Sequence, residues 1–203
     1  MESTIFLVRH GRPDLPDNEM RFLGRTDLPL SPEGIRQAEA LREAFSNIPL
    51  EGIFHSGLKR ASETAAVIAE GRALPVEGVP ALQEVSFGQW ELLSMREVME
   101  QDPEGFTERE KDFVSFRPAG GESFYEARER AWPAFNEILA RTEGNLLIAA
   151  HAGIIKTLIY TLLGIPWRNI FSMRQDYCGV HVLDRFEGRL TVRKLNWTPG
   201  LLP

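Results

Sequence analysis

The sequence predicts an α/β fold, a three-layer α/β/α sandwich around a mostly parallel sheet with an antiparallel edge strand. Two short apolar runs, Thr4–Val8 and Asn145–Ala150, lack polar alternation, which indicates strands that are buried on both faces. Segments with helical periodicity alternate with the predicted strands, as is typical of a parallel sheet covered by helices. Near the end of the chain, two strand-like segments flank a Glu-Gly pair at 187–188 and predict a closing hairpin.

Local signals place the first helices and strands. Ser31 is followed by a proline, a pair typical of a helix N-cap and first residue, and this helix is predicted to run to about Phe45. Its buried face is expected to carry, at helical spacing, Ile35, Ala38, Leu41 and Phe45. A short strand is predicted at Gly52–Ser56, followed by a helix that ends at Gly71. The segment LPVEGVP suggests another short strand.

The region from about 84 to 118 is acidic and irregular, and only residues 94–101 suggest a helix within it. We interpret this region as an insertion over the sheet and the candidate active site, so residues 1–203 are expected to form a single domain. A long helix follows, for which Ser123 is a suitable N-cap. Pro133 lies inside that helix and predicts a kink or a break, because proline lacks the N–H that a helix interior needs.

The composition argues against several functional classes. The net charge of −6 disfavours general binding to nucleic acid or to an anionic membrane, and no apolar stretch approaches the roughly 20 residues of a membrane span. The N-terminal segment does not resemble a signal peptide, and the one cysteine, Cys178, permits no intrachain disulfide. We therefore expect a cytoplasmic protein, a monomer or a homodimer, in which Cys178 is a small apolar strand residue.

Three predicted strand ends carry reactive side chains. The first strand leads into Arg9 and His10, the second into Arg60 at the start of a helix, and the strand at 145–150 into His151. In open α/β sheets, ligands bind beyond the carboxyl ends of the strands. Two imidazoles and two guanidiniums are therefore expected to share one crevice.

This set of side chains suits a phosphoryl group. Guanidinium forks match phosphate oxygens and keep their charge, and the helix that begins near Gly153 directs free N–H groups to the same place. A neutral imidazole is a competent nucleophile toward phosphorus, provided that its other ring nitrogen has a partner such as a neighbouring backbone carbonyl. Gly11 is expected to let the substrate and the main chain approach closely.

Each histidine taken alone also has a structural interpretation. His55 and His181 lie within predicted strands, and we expect both to be structural. A zinc site is the main chemical alternative for the other two, but the short spacings typical of zinc-binding histidines are absent and two nearby arginines would repel a cation. No metal and no cofactor are therefore predicted.

Six segments, taken in chain order, resemble the histidine phosphatase superfamily, also known as phosphoglycerate mutase-like: LVRHGRP, GRTDLPLSPEGIRQA, LKRASETAAVIA, LQEVSFGQWE, RPAGGES and IAAHAGIIKTLI. The tripeptide RHG alone is not specific, whereas the ordered set from Ile5 to about Leu163 is. The short chain and its FGQWE and PAGGES segments are most similar to the branch of small-molecule phosphatases. That branch includes α-ribazole phosphatases of cobalamin synthesis and fructose-bisphosphatase-like enzymes.

The resemblance implies a role for each motif residue. His10 would be the nucleophile that becomes phosphohistidine, and Arg9 and Arg60 would hold the phosphoryl oxygens. His151 would stabilise the transferring group, and Glu84 would be the general acid that protonates the leaving oxygen and then activates water. The resemblance also implies that the substrate contacts six residues, namely Arg9, Arg60, Gly11, Arg25, Thr26 and Ala152.

The implied activity is that of a metal-independent phosphomonoesterase acting on a small phosphorylated metabolite. Two alternatives stay open, namely a mutase that returns the phosphoryl group to a phosphoglycerate and a non-catalytic module that binds a phospho-ligand. Three positions depart from the family pattern. The usual SSPL before Arg60 reads HSGL with Gly57 in place of proline, Leu92 stands where glycine is common after FGQWE, and Ala152 is the second residue of the HGG-type motif.

Overall fold

The computed structural model describes residues 2–17 and 19–199. The first half of the chain contains the strands β1 (Glu2–Arg9), β2 (Gly52–His55) and β3 (Val76–Gly78) and the helices α1 (Pro32–Phe45) and α2 (Lys59–Ala69). The second half contains the helices α3 (Met95–Gln101), α4 (Pro103–Lys111), α5 (Phe124–Ala140) and α6 (Ala152–Leu163) and the strands β4 (Leu146–Ala150), β5 (Val180–Phe186) and β6 (Arg189–Trp197). Within these described residues, no helix is long and apolar enough to cross a membrane.

A mixed sheet connects these strands in the order β3-β2-β4-β1-β5-β6. The pairs β3–β2, β2–β4 and β4–β1 are parallel, whereas β5 pairs with β1, and β6 with β5, in antiparallel fashion. In the central pair, Ile5 lies beside Leu146 and Arg9 beside Ala150. The predicted mostly parallel sheet with an antiparallel edge is confirmed, and its parallel strands end along one edge.

The sheet separates two apolar layers, because alternate residues of a strand point to opposite faces. In β1, Ile5 and Leu7 pack with α5 and α6, whereas Phe6 and Val8 pack with α1 and α2. β4 divides in the same way, and its whole length is buried. Both central strands are therefore covered on both faces, which explains their uninterrupted apolar runs and confirms the predicted three-layer sandwich.

Helix α1 begins as predicted, with Ser31 as the N-cap whose hydroxyl accepts the N–H of Gly34 at 3.1 Å. The prediction that Ile35 belongs to the buried face is wrong, because this residue is 42% exposed. Gly34 is buried there instead. A Cβ on Gly34 would lie 2.1 Å from the carbonyl oxygen of Arg12, so the first turn of α1 packs by its backbone and not by an apolar side chain.

Helix α5 continues through Pro133, so the chain has no helix break there. The other predicted outcome, a kink, stays a prediction. Proline removes the hydrogen bond to the carbonyl four residues earlier, which is that of Glu129. Both residues are exposed, so water can solvate the freed carbonyl. Ser123 caps the helix as predicted, in a reciprocal capping box with Glu126.

The region 84–118 is more regular than its sequence suggests. The predicted helix at 94–101 corresponds to α3, but α4 is absent from the prediction. Asp102 caps α4 by accepting the N–H of Gly105 at 3.0 Å. No residue of α4 is buried, so the helix has no apolar periodicity that would reveal it. Main-chain bonds of 2.9 Å from Phe22 to Leu93 and from Leu92 to Phe22 join this region to the loop after β1.

The histidine of β5 is fully buried and neutral near pH 7. The Nε2 atom of His181 bonds the side-chain oxygen of Gln175, and its Nδ1 accepts the backbone N–H of Asn196 at 3.3 Å. Burial, assisted by the positive charge of Lys156, lowers the pKa of His181 to about 4. The folded protein therefore resists protonation at a site that is readily protonated in the unfolded chain.

We expect His181→Gln to weaken the acid dependence of folding. The unfolded wild type takes up a proton at residue 181 below about pH 6.5, whereas the folded protein does so only near pH 4. The unfolding free energy thus falls as the pH falls through this window, by at most about 1.4 kcal/mol per pH unit for this site. Glutamine removes that contribution. Urea titrations at several pH values give the unfolding free energy of the wild type and of the variant. An equal dependence of that free energy on pH in both proteins would contradict the prediction.

Candidate active site

The carboxyl edge of the sheet brings the predicted imidazoles and guanidiniums together. β1 leads into His10, whose backbone N–H donates to the carbonyl of Ala150 at 3.0 Å, and β4 leads into His151. The ring centroids of the two histidines are 5.1 Å apart. The Nε of Arg60 lies 3.3 Å from Nε2 of His10, and Arg9 lines the same cleft as His10. The crevice predicted from the strand ends is present.

Two hydrogen bonds fix the tautomer of His10. Its Nδ1 lies 2.7 Å from the carbonyl oxygen of Gly11, which can only accept, so Nδ1 carries the ring proton. Its Nε2 accepts the Nε–H of Arg60, which requires an unprotonated nitrogen. The lone pair of Nε2 is therefore directed toward the guanidinium, and the partner of the other ring nitrogen is the backbone carbonyl that we expected.

Both imidazoles of the site are neutral near pH 7. Burial lowers the pKa of His10 well below its ordinary value, and the positive charges of Arg60 and Arg9 lower it further. The bond to Gly11 acts in the opposite direction but is the smallest influence. Burial, followed by the charge of Arg60, also lowers the pKa of His151 well below its ordinary value. A neutral imidazole retains the nitrogen lone pair that nucleophilic chemistry needs.

Arg60 is fully buried at the start of α2. Its guanidinium donates to the carbonyl of Thr26 at 2.8 Å and to that of Gly24 at 2.5 Å. Burial lowers the pKa of Arg60, and the negative charge of Glu84 raises it. The loop after β1 thus supplies main-chain acceptors that offset part of the cost of burying this charge and hold it against His10.

Arg9 is held by the segment that precedes β5. Its Nη1 donates to the carbonyl of Gln175 at 2.5 Å, and its guanidinium carbon lies 3.8 Å from the ring centroid of Tyr177. Its Nε is buried without a hydrogen-bond partner among the described residues. Buried donors of this kind are rare, and a phosphoryl oxygen is a suitable acceptor for a guanidinium N–H.

His151 is fully buried and has one side-chain partner. Its Nε2 lies 2.7 Å from the hydroxyl of Ser56, the residue that follows β2. Its Nδ1 is buried and, within the described part of the chain, has no partner. In the tautomer in which Ser56 donates to Nε2, the Nδ1–H is a second buried donor in this site.

Glu84 lies where α6 begins. Its Oε2 accepts the N–H of Gly153 at 3.0 Å, and its Oε1 accepts the N–H of Val85 at 2.9 Å. A Cβ at position 153 would lie 2.5 Å from Oε1 of Glu84, so a larger residue there would displace this carboxyl group. The positive end of the helix and two N–H groups therefore orient the carboxyl group of Glu84 at the site.

A cleft of about 420 Å³ opens at this edge of the sheet. Its lining includes Arg9, His10 and Glu84, together with Tyr177. The loop after β1 contributes both apolar and charged side chains to the rest of its lining, namely Arg12, Leu15, Asp17, Glu19, Met20, Arg21 and Leu23. Within residues 2–17 and 19–199, no three His, Cys, Asp or Glu side chains are grouped so that they could hold a metal ion.

Gly11 permits a close approach within the protein itself. Its N–H donates to the hydroxyl of Thr64 at 3.0 Å, and a Cβ would lie 2.5 Å from the carbonyl oxygen of Gly34. The main chain that approaches Gly11 is thus the first turn of α1. Contact between Gly11 and a substrate stays a prediction.

Like Arg60 and Gly11, the other three residues expected to contact substrate do not line the cleft. Arg25 donates from Nη2 to the carboxylate of Glu122 at 3.0 Å. Thr26 donates its hydroxyl proton to Glu91 at 2.8 Å, and its role at the site is the carbonyl that holds Arg60. Ala152 is the first, half-buried residue of α6. Their contact with substrate also stays a prediction.

Four residues of the site are absent from the sequence prediction: Ser56, Thr64, Gln175 and Tyr177. Ser56 directly follows β2, so the strand-end rule points to it as well. Gln175 and Tyr177 precede β5, and because β5 runs antiparallel to β1, its start lies at the edge where β1 ends. The predicted closing hairpin, if placed antiparallel to β1, would have put these two residues at the same edge. Thr64 is one helical turn beyond Arg60, and its sequence context carries no comparable signal.

Comparison with known proteins identifies one family. The sequence model of the histidine phosphatase superfamily (branch 1) matches residues 5–198. An adenosylcobalamin/alpha-ribazole phosphatase of Salmonella typhimurium is 30% identical over 200 residues, which cover 96% of this chain and 98% of the relative. Phosphoserine phosphatase 1 of Hydrogenobacter thermophilus is 30% identical over 197 residues, covering 96% of this chain and 92% of the relative.

Solved structures agree with this assignment. The alpha-ribazole phosphatase from Shigella flexneri has a TM-score of 0.86 at 27% identity, and the match covers 98% of this chain and 100% of that structure. Family, relatives and fold thus coincide over nearly the whole chain. The chain belongs to the histidine phosphatase superfamily, branch 1, and is a phosphatase.

Proposed function

We propose that this phosphatase is a metal-independent phosphomonoesterase that works through a phosphohistidine at His10. The observation that carries the proposal is the neutral imidazole of His10, whose unprotonated Nε2 lies 3.3 Å from the guanidinium of Arg60. A nucleophile beside a fixed positive charge suits attack on an anionic phosphoryl group. Arg9 supplies a second guanidinium in the same cleft.

The proposed reaction has two steps. First, the phosphoryl group takes the N–H of Arg60 away from Nε2 of His10, and Nε2 then attacks phosphorus in line with the ester oxygen. A P–N bond forms, the P–O bond breaks, and Glu84, which enters this step protonated, gives its proton to the leaving oxygen. Second, water attacks the phosphohistidine while Glu84 takes a proton from it, and the P–N bond breaks to release inorganic phosphate. Both residues return to their starting states. The presence of Glu84 and His10 in one cleft supports this division of roles.

Fixed donors support both steps. Charge is spread over the phosphoryl oxygens while the bonds to phosphorus exchange, and Arg9, Arg60 and His151 are oriented before the substrate arrives. The buried donor atoms of Arg9 and His151 would gain acceptors in this arrangement. Removing one such donor typically costs about 10²–10³ in rate.

His10→Ala is expected to lower turnover by at least about 10³-fold, because the nucleophile is lost. The wild type, quenched in base during turnover of a ³²P-labelled ester, should retain label that acid releases, and the variant should retain none. His55→Ala serves as the control, since His55 is half-buried and does not line the cleft. Normal turnover by His10→Ala would overturn the mechanism.

Glu84→Gln is expected to lose activity in proportion to the difficulty of the leaving group. General acid catalysis contributes typically 10²–10⁴-fold for a poor leaving group, whereas p-nitrophenolate departs without a proton. The variant should therefore lose far more activity with an alkyl phosphate than with p-nitrophenyl phosphate. Glu100→Gln, a change at an exposed position of α3, is the control. Equal losses with both esters would refute the general acid role.

For the substrate, we propose a small phosphorylated metabolite of the α-ribazole phosphate type, which would connect the protein to cobalamin synthesis. Two of the similar proteins are alpha-ribazole phosphatases. A third is a phosphoserine phosphatase, so the family alone leaves the leaving group open. The loop after β1, which lines the outer cleft, is the part of the chain that would select it.

A panel of phosphomonoesters tests the substrate and the mutase alternative together. We expect the highest kcat/KM with α-ribazole phosphate, compared with sugar phosphates, phosphoglycerates and phosphoserine. With 3-phosphoglycerate, we expect inorganic phosphate and no 2-phosphoglycerate. An isomer without phosphate release would favour the mutase, and phosphate binding without any turnover would favour the non-catalytic module.

A further inference from the structure

The segment Gln175–Gly179 lies along the main chain of Arg9 and His10. The backbone N–H of Cys178 donates to the carbonyl of Arg9 at 3.1 Å and to that of His10 at 3.3 Å, and the N–H of Arg9 donates to the carbonyl of Gly179 at 3.1 Å. The segment is thus attached to the main chain of Arg9 by the two residues that directly follow Tyr177. A shift of this segment would shift the guanidinium that it contacts.

This segment is held in an unfavourable backbone conformation. Cys178, predicted to lie in a strand, lies instead in the turn before β5, with a φ of 53°, in the left-handed region that non-glycine residues rarely adopt. Such conformations persist where the surrounding structure enforces them, commonly at functional sites. Here the enforcing contacts include those of Gln175, whose side chain bonds His181 and the carbonyl of Gly179. The protein therefore fixes the position of Tyr177 at a local cost.

Tyr177 contacts Arg9 by the face of its ring. The guanidinium carbon of Arg9 lies 3.8 Å from the ring centroid, and the ring of His10 is centred 5.7 Å away. The Nη1 of Arg9 is tied to the carbonyl of Gln175 at 2.5 Å. Tyr177 is half-buried and lines the cleft. Arg9 is therefore fixed by a carbonyl at one end and by an aromatic face across its plane.

We propose that Tyr177 is a positioning residue for Arg9 and sets the affinity of the site for the phosphoryl group. This inference rests on the proposed function, because it assigns Arg9 to phosphoryl binding. A ring over a guanidinium favours one orientation of its plane and attracts its charge, a contact of about 0.5–2 kcal/mol. The Nε of Arg9, buried without a partner among the described residues, is the donor that this orientation controls.

The alternative is that Tyr177 serves the leaving group, by stacking on the part of the substrate that departs. The two roles predict different effects of a Tyr177 substitution on a series of ligands. A residue that positions Arg9 acts on the phosphoryl group and changes every ester, and inorganic phosphate itself, by the same factor. A residue that stacks on the leaving group changes only esters that carry a suitable ring.

The variants Tyr177→Leu and Tyr177→Phe separate the ring from the hydroxyl, and Tyr125→Leu is the matched control. Tyr125 is an exposed tyrosine that stacks on Trp167 and does not line the cleft. Binding of inorganic phosphate is measured by calorimetry, which needs no turnover. Steady-state kinetics use AMP and ribose 5-phosphate, which lose the same primary alcohol oxygen with and without a planar base. Thermal unfolding of each variant reports its folding.

We expect Tyr177→Leu to weaken phosphate binding by about tenfold and to lower kcat/KM for both esters by one common factor. Tyr177→Phe, which keeps the ring face, and Tyr125→Leu should stay within about twofold of the wild type. Unchanged phosphate binding in a folded Tyr177→Leu protein would overturn the inference, as would a loss confined to AMP. If the wild type hydrolyses no ester, the proposed function fails, while the phosphate titration still decides the role of Tyr177.

Discussion

The parallel pairing of β1 with β4 is the constraint on which the site depends. This register places Arg9 beside Ala150, so that the next residue of each strand, His10 and His151, leaves the sheet at the same edge. Because side chains alternate along a strand, a register shift of one residue between β1 and β4 would move every side chain of β1 to the opposite face of the sheet. The packing of Ile5 and Leu7 against one helical layer and of the intervening residues against the other therefore also fixes the two imidazoles.

The site concentrates positive charge that the fold compensates only in part. Arg60 is buried among main-chain carbonyls, and Arg9 is buried in part against an aromatic ring. Two more cations would raise this cost steeply, and burial and the arginines instead keep His10 and His151 neutral. The same electrostatics thus prevent further charge accumulation and leave Nε2 of His10 unprotonated, with a lone pair that a phosphoryl group can take over from Arg60. An anionic phosphoryl group would offset the charges that remain.

The strand-end argument explains which parts of the site the sequence reveals. It found Arg9, His10 and His151 because each ends or follows a buried strand, and such strands are legible as uninterrupted apolar runs. It did not find Tyr177, because that residue precedes an antiparallel strand and reaches the same edge only through the hairpin topology. Ile35 fails for a different reason. The apolar periodicity of α1 includes it, but the backbone contact between Gly34 and Arg12 occupies the place of a side chain.

Two departures from the family pattern have physical consequences that the structure makes visible. Gly57 stands where proline is usual, and its φ of 89° is one that proline cannot adopt, so the turn before Arg60 follows a different path. Leu92 stands where glycine is common and has a φ of 64°, the left-handed conformation that explains the usual glycine.

Leu92 adopts that conformation because the loop after β1 holds it on both sides. Its N–H donates to the carbonyl of Phe22 at 2.9 Å, and its carbonyl accepts from Arg21 at 2.8 Å. The left-handed conformation costs a non-glycine residue roughly 1–2 kcal/mol, and two hydrogen bonds of ordinary strength offset a cost of that size. Leu92 therefore joins the region 84–118 to the loop that lines the cleft, so a substitution in either segment is expected to shift the other.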